Sequence, residues 1–310
     1  MDCGCGRHGA LENRLLGICE WLPFSSRYWS RNDVCGLEIR RSTVEIYRRQ
    51  IKLSHGTTYY LEAGQGEPLI LLHGVGFFTG GDYWLENIKE LSQHYQVYAP
   101  DFVGWGEGDR LDVEYSFSYL ADFVREFQDG LGISSAHIVG HSMGGWVASV
   151  LGYESPDRVR TLTLVGAGGI STRVIPMMSS FTPPSYEEVL KHVKETTRIE
   201  NAEEAAKRWH QRAQIPGAAE AYLKIMTHMK NPIHRARYNT RRRLPHIKVP
   251  TLILWGSEDK INELSMGEEM QAMIPNSELA VLPYGHYLPS EAPKEFNSLV
   301  ISFMNKHNYR

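Results

Sequence analysis

Five short apolar runs constrain this chain more than anything else in it: PLILLHG (68–74), YQVYAPD (95–101), AHIVGHS (136–142), TLTLVGAG (161–168) and TLILWGSED (251–259). Each is largely unbroken and is followed by glycine, aspartate, serine or histidine. A strand with one wet face alternates apolar and polar residues, so unbroken runs predict parallel strands covered on both faces. Between them lie helical patterns. In YSFSYLADFVREFQDGLG (115–132), Leu120, Phe123, Val124 and Phe127 fall at i, i+3, i+4 and i+7, and Gly130 or Gly132 supplies a stop. Ahead of the runs, VEIYRRQIKLS and TTYYLEAG read as a hairpin about His55-Gly56. These patterns predict an α/β class: a mostly parallel sheet flanked by helices, with ligands gathering at the carboxyl ends of the strands.

The rhythm breaks between about Ile170 and Pro245. Residues 171–245 carry helical patterns only, opened by a capping box at Ser185-Tyr-Glu-Glu188 and bordered by prolines, and so predict a helical insertion over the strand ends. The core is then 42–170 with 246–310. Residues 1–41 form an extension that holds all four cysteines, Cys3, Cys5, Cys19 and Cys35. Their spacing does not match a zinc site, and loosely ordered free thiols are the expectation.

With 42% hydrophobic residues and a net charge of −3, the composition is that of a soluble globular protein without a nucleic-acid footprint. The longest apolar runs fall far short of the ~20 residues that cross a bilayer, so no transmembrane segment is expected. LLGICEWL (15–22) contains Glu20 and lacks a basic lead, so no secretory signal is read and a cytoplasmic location is expected. A small-molecule substrate is the expected partner; self-association into a homodimer is left open.

Gly140-His141-Ser142-Met143-Gly144 fits G-x-S-x-G, a strand-to-helix turn that lifts a serine hydroxyl above a sheet. A reacting hydroxyl needs a base, and the base needs an orienting carboxylate. His286 follows the last strand-like run (LAVL) in LAVLPYGHYLPSEAP. Asp259 closes TLILWGSED, with Glu258 and Asp101 as rival acids. Asp101 reads better as a holder of loop amides, and His137 and His141 as surface or packing residues. The order Ser142, Asp259, His286 is that of α/β-hydrolases. His73-Gly74-Val75-Gly76 then suits an oxyanion loop, with the Val75 and Met143 amides as donors, each worth about 2.7–4 kcal/mol of barrier.

On HGVG, DFVGWGEGD, GHSMGG, WGSED and YGHYLPSEAP, the chain from about Ser42 to His307 resembles the α/β-hydrolase superfamily. The resemblance implies that fold, a Ser142–His286–Asp259 triad and no cofactor or metal. The insertion is most similar to the cap of meta-cleavage-product hydrolases, which break carbon–carbon bonds in vinylogous diketo acids. LVGAGGI, PPSYEEVLKHV and KRWHQRAQ carry that likeness, which puts Arg208 at the substrate-carboxylate position with Trp209 beside it. Gly74, Gly76 and Tyr287 complete the candidate binding residues. Two positions depart from that group: His141 stands where it has asparagine, and Tyr287 where it has tryptophan. The first expectation is therefore a carboxylic-ester or lactone hydrolase working through an acyl-enzyme. A carbon–carbon hydrolase comes second, and a non-catalytic ligand receptor on the same fold third.

Overall fold

A computed structural model describes residues 44–77, 79–171, 174, 181–197 and 201–308. The extension with its four cysteines lies outside them. The expected hairpin is present as β1 (Ile46–Leu53) and β2 (Gly56–Ala63), paired antiparallel about the turn at Ser54-His55. The five runs become β3 (Pro68–Leu72), β4 (Gln96–Pro100), β5 (Ala136–His141), β6 (Val159–Val165) and β7 (Thr251–Gly256), and β8 (Ser277–Leu282) closes the edge. The eight strands lie in the order β1-β2-β4-β3-β5-β6-β7-β8, parallel from β4 to β8.

Burial explains why the runs are unbroken. In β3, Leu69 and Leu71 enter one apolar layer while Ile70 and Leu72 enter the other, and all four are fully buried. Each such side chain contributes about 1.5–3 kcal/mol over leaving it wet, so neither face tolerates polar alternation. Helix α1 (Leu85–Leu91) covers the first layer, joined by the C-terminal helix described below. The other layer is covered by α2 (Phe117–Gly130), started by the Ser116 side chain, and by α3 (Met143–Glu154).

Between β6 and β7 the described residues form four helices: α4 (Tyr186–Thr196), α5 (Ala202–Ala213), α6 (Ala218–Lys230) and α7 (Pro232–Tyr238). The capping box opens α4 as expected, with reciprocal Ser185 and Glu188 hydrogen bonds. Helices α4 and α5 share a small core of Val189, Val193, Ala205, Ala206 and Trp209. Helices α8 (Leu264–Met273), α9 (Leu288–Glu291) and α10 (Pro293–His307) follow β7 and β8. Phe296, Val300, Phe303 and Met304 of α10 complete the first layer. No helix among the described residues is long and apolar enough to cross a membrane.

Candidate active site

Strand β5 ends at His141, and Ser142 turns the chain into α3 with φ 54° and ψ −111°. It is the one non-glycine residue with positive φ among the described residues. Its amide donates to the Val165 carbonyl (2.9 Å), and its own carbonyl accepts from Trp146 (3.1 Å) and Gly168 (3.0 Å), so the strained unit is held from three sides. Serine is a favoured helix cap, yet here its side chain makes no capping hydrogen bond. The hydroxyl is thus left for another purpose.

Both flanking glycines are required, for different reasons. A Cβ on Gly140 would lie 2.4 Å from the Gly144 carbonyl oxygen, across the elbow. One on Gly144 would lie 2.3 Å from the Leu72 carbonyl oxygen of β3. The first contact lies within the elbow; the second is with the neighbouring strand.

Histidine 286 follows β8, and its Nδ1 lies 2.7 Å from Asp259 Oδ2. The other carboxylate oxygen accepts the amides of Ile261 and Asn262, both at 2.8 Å, which locks the carboxylate in place. With Nδ1–H donating to Asp259, Nε2 is left with its lone pair, the form a general base needs. The rival acids fall elsewhere. Glu258 is exposed. Asp101 is buried and accepts the Gly81 amide (2.6 Å) and the Glu107 amide (2.9 Å), the loop-holding role read from the sequence.

The HGVG loop lies against the serine: a Cβ on Gly74 would sit 3.3 Å from Ser142 Cβ and 3.2 Å from His141 Nδ1. His73 organises this loop. Its Nε2 accepts the Phe102 amide (3.1 Å), so the proton is on Nδ1, which donates to the Gly74 carbonyl at 2.7 Å. Burial pushes its pKa down to about 4, which keeps it neutral. Gly76 packs on Thr79, and the Val75 carbonyl accepts from Trp105 Nε1 (3.3 Å). Met143, the first residue of α3, is buried beside the serine.

Several residues matter more than the sequence suggested. His141 is no surface residue: it is buried, stacks on Tyr83 (5.0 Å, 13°) and donates from Nε2 to the His286 carbonyl at 2.8 Å. Burial, then the neighbouring His286, hold its pKa well below 6.5. His137 is likewise buried, against Tyr95, with Nδ1 2.8 Å from the Thr161 hydroxyl. Asp82 and Arg212 form a buried pair at 2.7 Å, to which Trp209 Nε1 donates at 3.0 Å. Burial raises the Asp82 pKa, but Arg212 and Arg208 outweigh it and the carboxylate stays ionised. Arg208, put at the substrate-carboxylate position by the resemblance, places Nε 3.3 Å from Asp82, with 38% of its side chain exposed. Tyr287 stacks edge-on between His286 (5.5 Å) and His192 of α4 (5.2 Å). Adjacency to Ser142 was the one available signal for His141; the 130-residue gap between Asp82 and Arg212 left none.

Comparison with known proteins identifies the family of the fold. A family model described as alpha/beta hydrolase fold matches residues 67–293. A 2-hydroxy-6-oxo-6-phenylhexa-2,4-dienoate hydrolase of Burkholderia cepacia is 30% identical over 269 residues, 81% of this chain and 92% of the relative. A 2-hydroxy-6-oxononadienedioate/2-hydroxy-6-oxononatrienedioate hydrolase of Comamonas testosteroni is 29% identical over 269 residues, with the same coverage of each. Among solved structures, a meta-cleavage product hydrolase of Pseudomonas fluorescens IP01 superimposes with a TM-score of 0.73 at 28% identity, covering 83% of this chain and 97% of that one. Sheet order, elbow and near end-to-end relatives converge, and the chain belongs to the α/β hydrolase family.

Proposed function

We propose that the chain is a serine hydrolase in which Ser142 attacks a substrate carbonyl, His286 carries the proton and Asp259 holds the imidazole. The observation that carries this is the strained Ser142, its hydroxyl uncommitted to the helix cap, together with the 2.7 Å His286–Asp259 pair. As the Oγ–carbon bond forms, the proton passes to His286 Nε2. The Val75 and Met143 amides receive the charge on the carbonyl oxygen. The bond to the leaving fragment then breaks, the fragment leaves with the electron pair, and His286 protonates it. Water, deprotonated by His286, releases the acyl group as a carboxylic acid and restores Ser142. Residues 171–245 act as the cap, with α4 bringing His192 onto Tyr287, the neighbour of His286.

The substrate reading we favour is a vinylogous diketo acid cleaved at a carbon–carbon bond, whose electrons leave as an enolate. The names of the relatives support it, as does Arg208. Its Nε lies 3.3 Å from Asp82, and 38% of its side chain is exposed. A guanidinium in that state is suited to a carboxylate. An ester or lactone is the second reading, favoured by Asp82 itself, because an ionised carboxylate at 3.3 Å offsets the charge an anionic substrate would seek.

Both substrates on wild type and Arg208→Ala decide between them. A hydrogen-bonded charge is worth about 1.5–3 kcal/mol, so the diketo acid should lose roughly 10- to 150-fold while a p-nitrophenyl ester changes only a few-fold. A wild type that prefers the ester, with the diketo acid indifferent to Arg208, would replace the first reading by the second. Turnover of neither would point to a receptor.

A further inference from the structure

Away from Ser142, three side chains from separate elements converge: Glu114, in the segment before α2; His228, in the last turn of α6; and His234, in the first turn of α7. The turn between the helices brings the histidines together. Asn231 ends α6 and caps α7 by accepting the Ile233 and His234 amides, and Pro232 fills the first position of α7. The two rings then stand nearly perpendicular, 4.3 Å apart. Glu114 is placed by its neighbours: Tyr115 is buried with its hydroxyl on the Leu111 carbonyl, and Ser116 caps α2.

Three atoms meet at one point. His228 Nδ1 lies 2.7 Å from His234 Nδ1 and 3.1 Å from Glu114 Oε1, and His234 Nδ1 lies 3.0 Å from the same oxygen. Protons alone do not satisfy all three contacts. If one Nδ1–H donates to the other Nδ1, the accepting ring has no hydrogen on that atom to offer Glu114. A cation satisfies all three at once. His228 Nε2 is buried without a hydrogen-bond partner, so the strong polar interactions of that ring run through Nδ1. Packing against Phe117 (5.9 Å) and Tyr238 (5.1 Å) fixes the ring.

We propose that Glu114, His228 and His234 bind a divalent transition-metal ion of the zinc class. Two imidazoles and a carboxylate are suitable ligands for it. At the usual ~2.0–2.1 Å from each atom, an ion would stand roughly 1 Å off the plane of the three, leaving one tetrahedral position open. The three residues line a groove of about 530 Å³ together with Asp112, Lys224 and Asn231, and water from it completes the set. The ion ties α6 and α7 of the insertion to the core segment before α2. It is a latch on the cap rather than part of the Ser142 chemistry.

The test uses the full chain, stripped with a chelator and with its four cysteines alkylated so that thiols cannot bind the probe. Zn²⁺ is titrated against a chromogenic competitor, and Co²⁺ is followed by its visible absorption. Glu114 is exposed and His234 partly exposed, so Glu114→Gln and His234→Gln should fold. The expected result is one equivalent bound by wild type, affinity reduced at least ~10-fold in each variant, and a zinc-dependent rise in Tm that both variants lose. Failure of wild type to bind either ion, or equal affinity in wild type and both variants, would overturn the proposal. Neither outcome depends on the hydrolase reading.

Discussion

Ser142 holds a backbone conformation that costs about 1–3 kcal/mol, and such strain persists only where the surroundings over-determine it. Those surroundings are the hydrogen bonds to Val165, Trp146 and Gly168 and the glycine on either side. The proposed roles have separable consequences. Ser142→Ala and His286→Ala should each remove about 10⁶-fold of turnover, as members of one cooperating unit. Asp259→Asn should lose about 10⁴-fold by favouring the wrong imidazole tautomer, while Glu258→Gln leaves the rate almost unchanged. Steady-state kinetics on the same substrate separates them: a silent Asp259→Asn would reassign the acid. The residues of this set were legible because each ends an apolar run or follows one. His141, read as a surface or packing residue, is a packed one, and its neighbours in sequence do not reveal that Tyr83 and His286 enclose it. Asp82, Arg212 and the Glu114–His228–His234 cluster were not legible at all. Their partners come from elements far apart in the chain, and no local spacing records that.

Among the elements, the unit of β5, elbow and α3 carries the most constraint. Gly144→Ala would drive a methyl into the Leu72 carbonyl, backbone that cannot rotate away. The expected cost is about 1–3 kcal/mol or more, read as a lowered urea midpoint, and an unchanged midpoint would show that β3 can yield. Most strands of the sheet announce themselves because burial on both faces forces unbroken apolar runs. Strand β8 is weaker in sequence for a physical reason: it is an edge strand with Val281 exposed, and so is freed from that demand. Helix α4 of the insertion is readable from its cap, Ser185, whose side chain accepts the Glu188 amide; Asn201 does the same for α5 with the Glu204 amide. Their contacts with the core could not be read, because those rest on single pairs such as Trp209 to Asp82.

For the whole molecule, buried histidines set the acid limit. His73 and His137 have pKa values pushed down to about 4, mainly by burial, and His141 lies well below 6.5 for the same reason. Above pH 6.5 folded and unfolded chains both hold these rings neutral, so pH has no effect through them. Below it the unfolded chain takes up protons that the folded chain refuses, so stability falls as pH drops from 6.5 toward 4, by about 1.4 kcal/mol per unit per ring at most. Asp82, with its pKa lowered, adds its loss only below the ordinary carboxylate range. Urea midpoints at pH 7 and pH 5 should differ accordingly, and His137→Asn should flatten the difference; a pH-independent midpoint would contradict the burial of charge-refusing rings. That Ser142 is an activated nucleophile is tested by intact-mass and peptide analysis after exposure to a fluorophosphonate. One adduct is expected, on Ser142, absent from Ser142→Ala and nearly absent from His286→Ala. An unlabelled wild type, or an adduct that survives in Ser142→Ala, would contradict it.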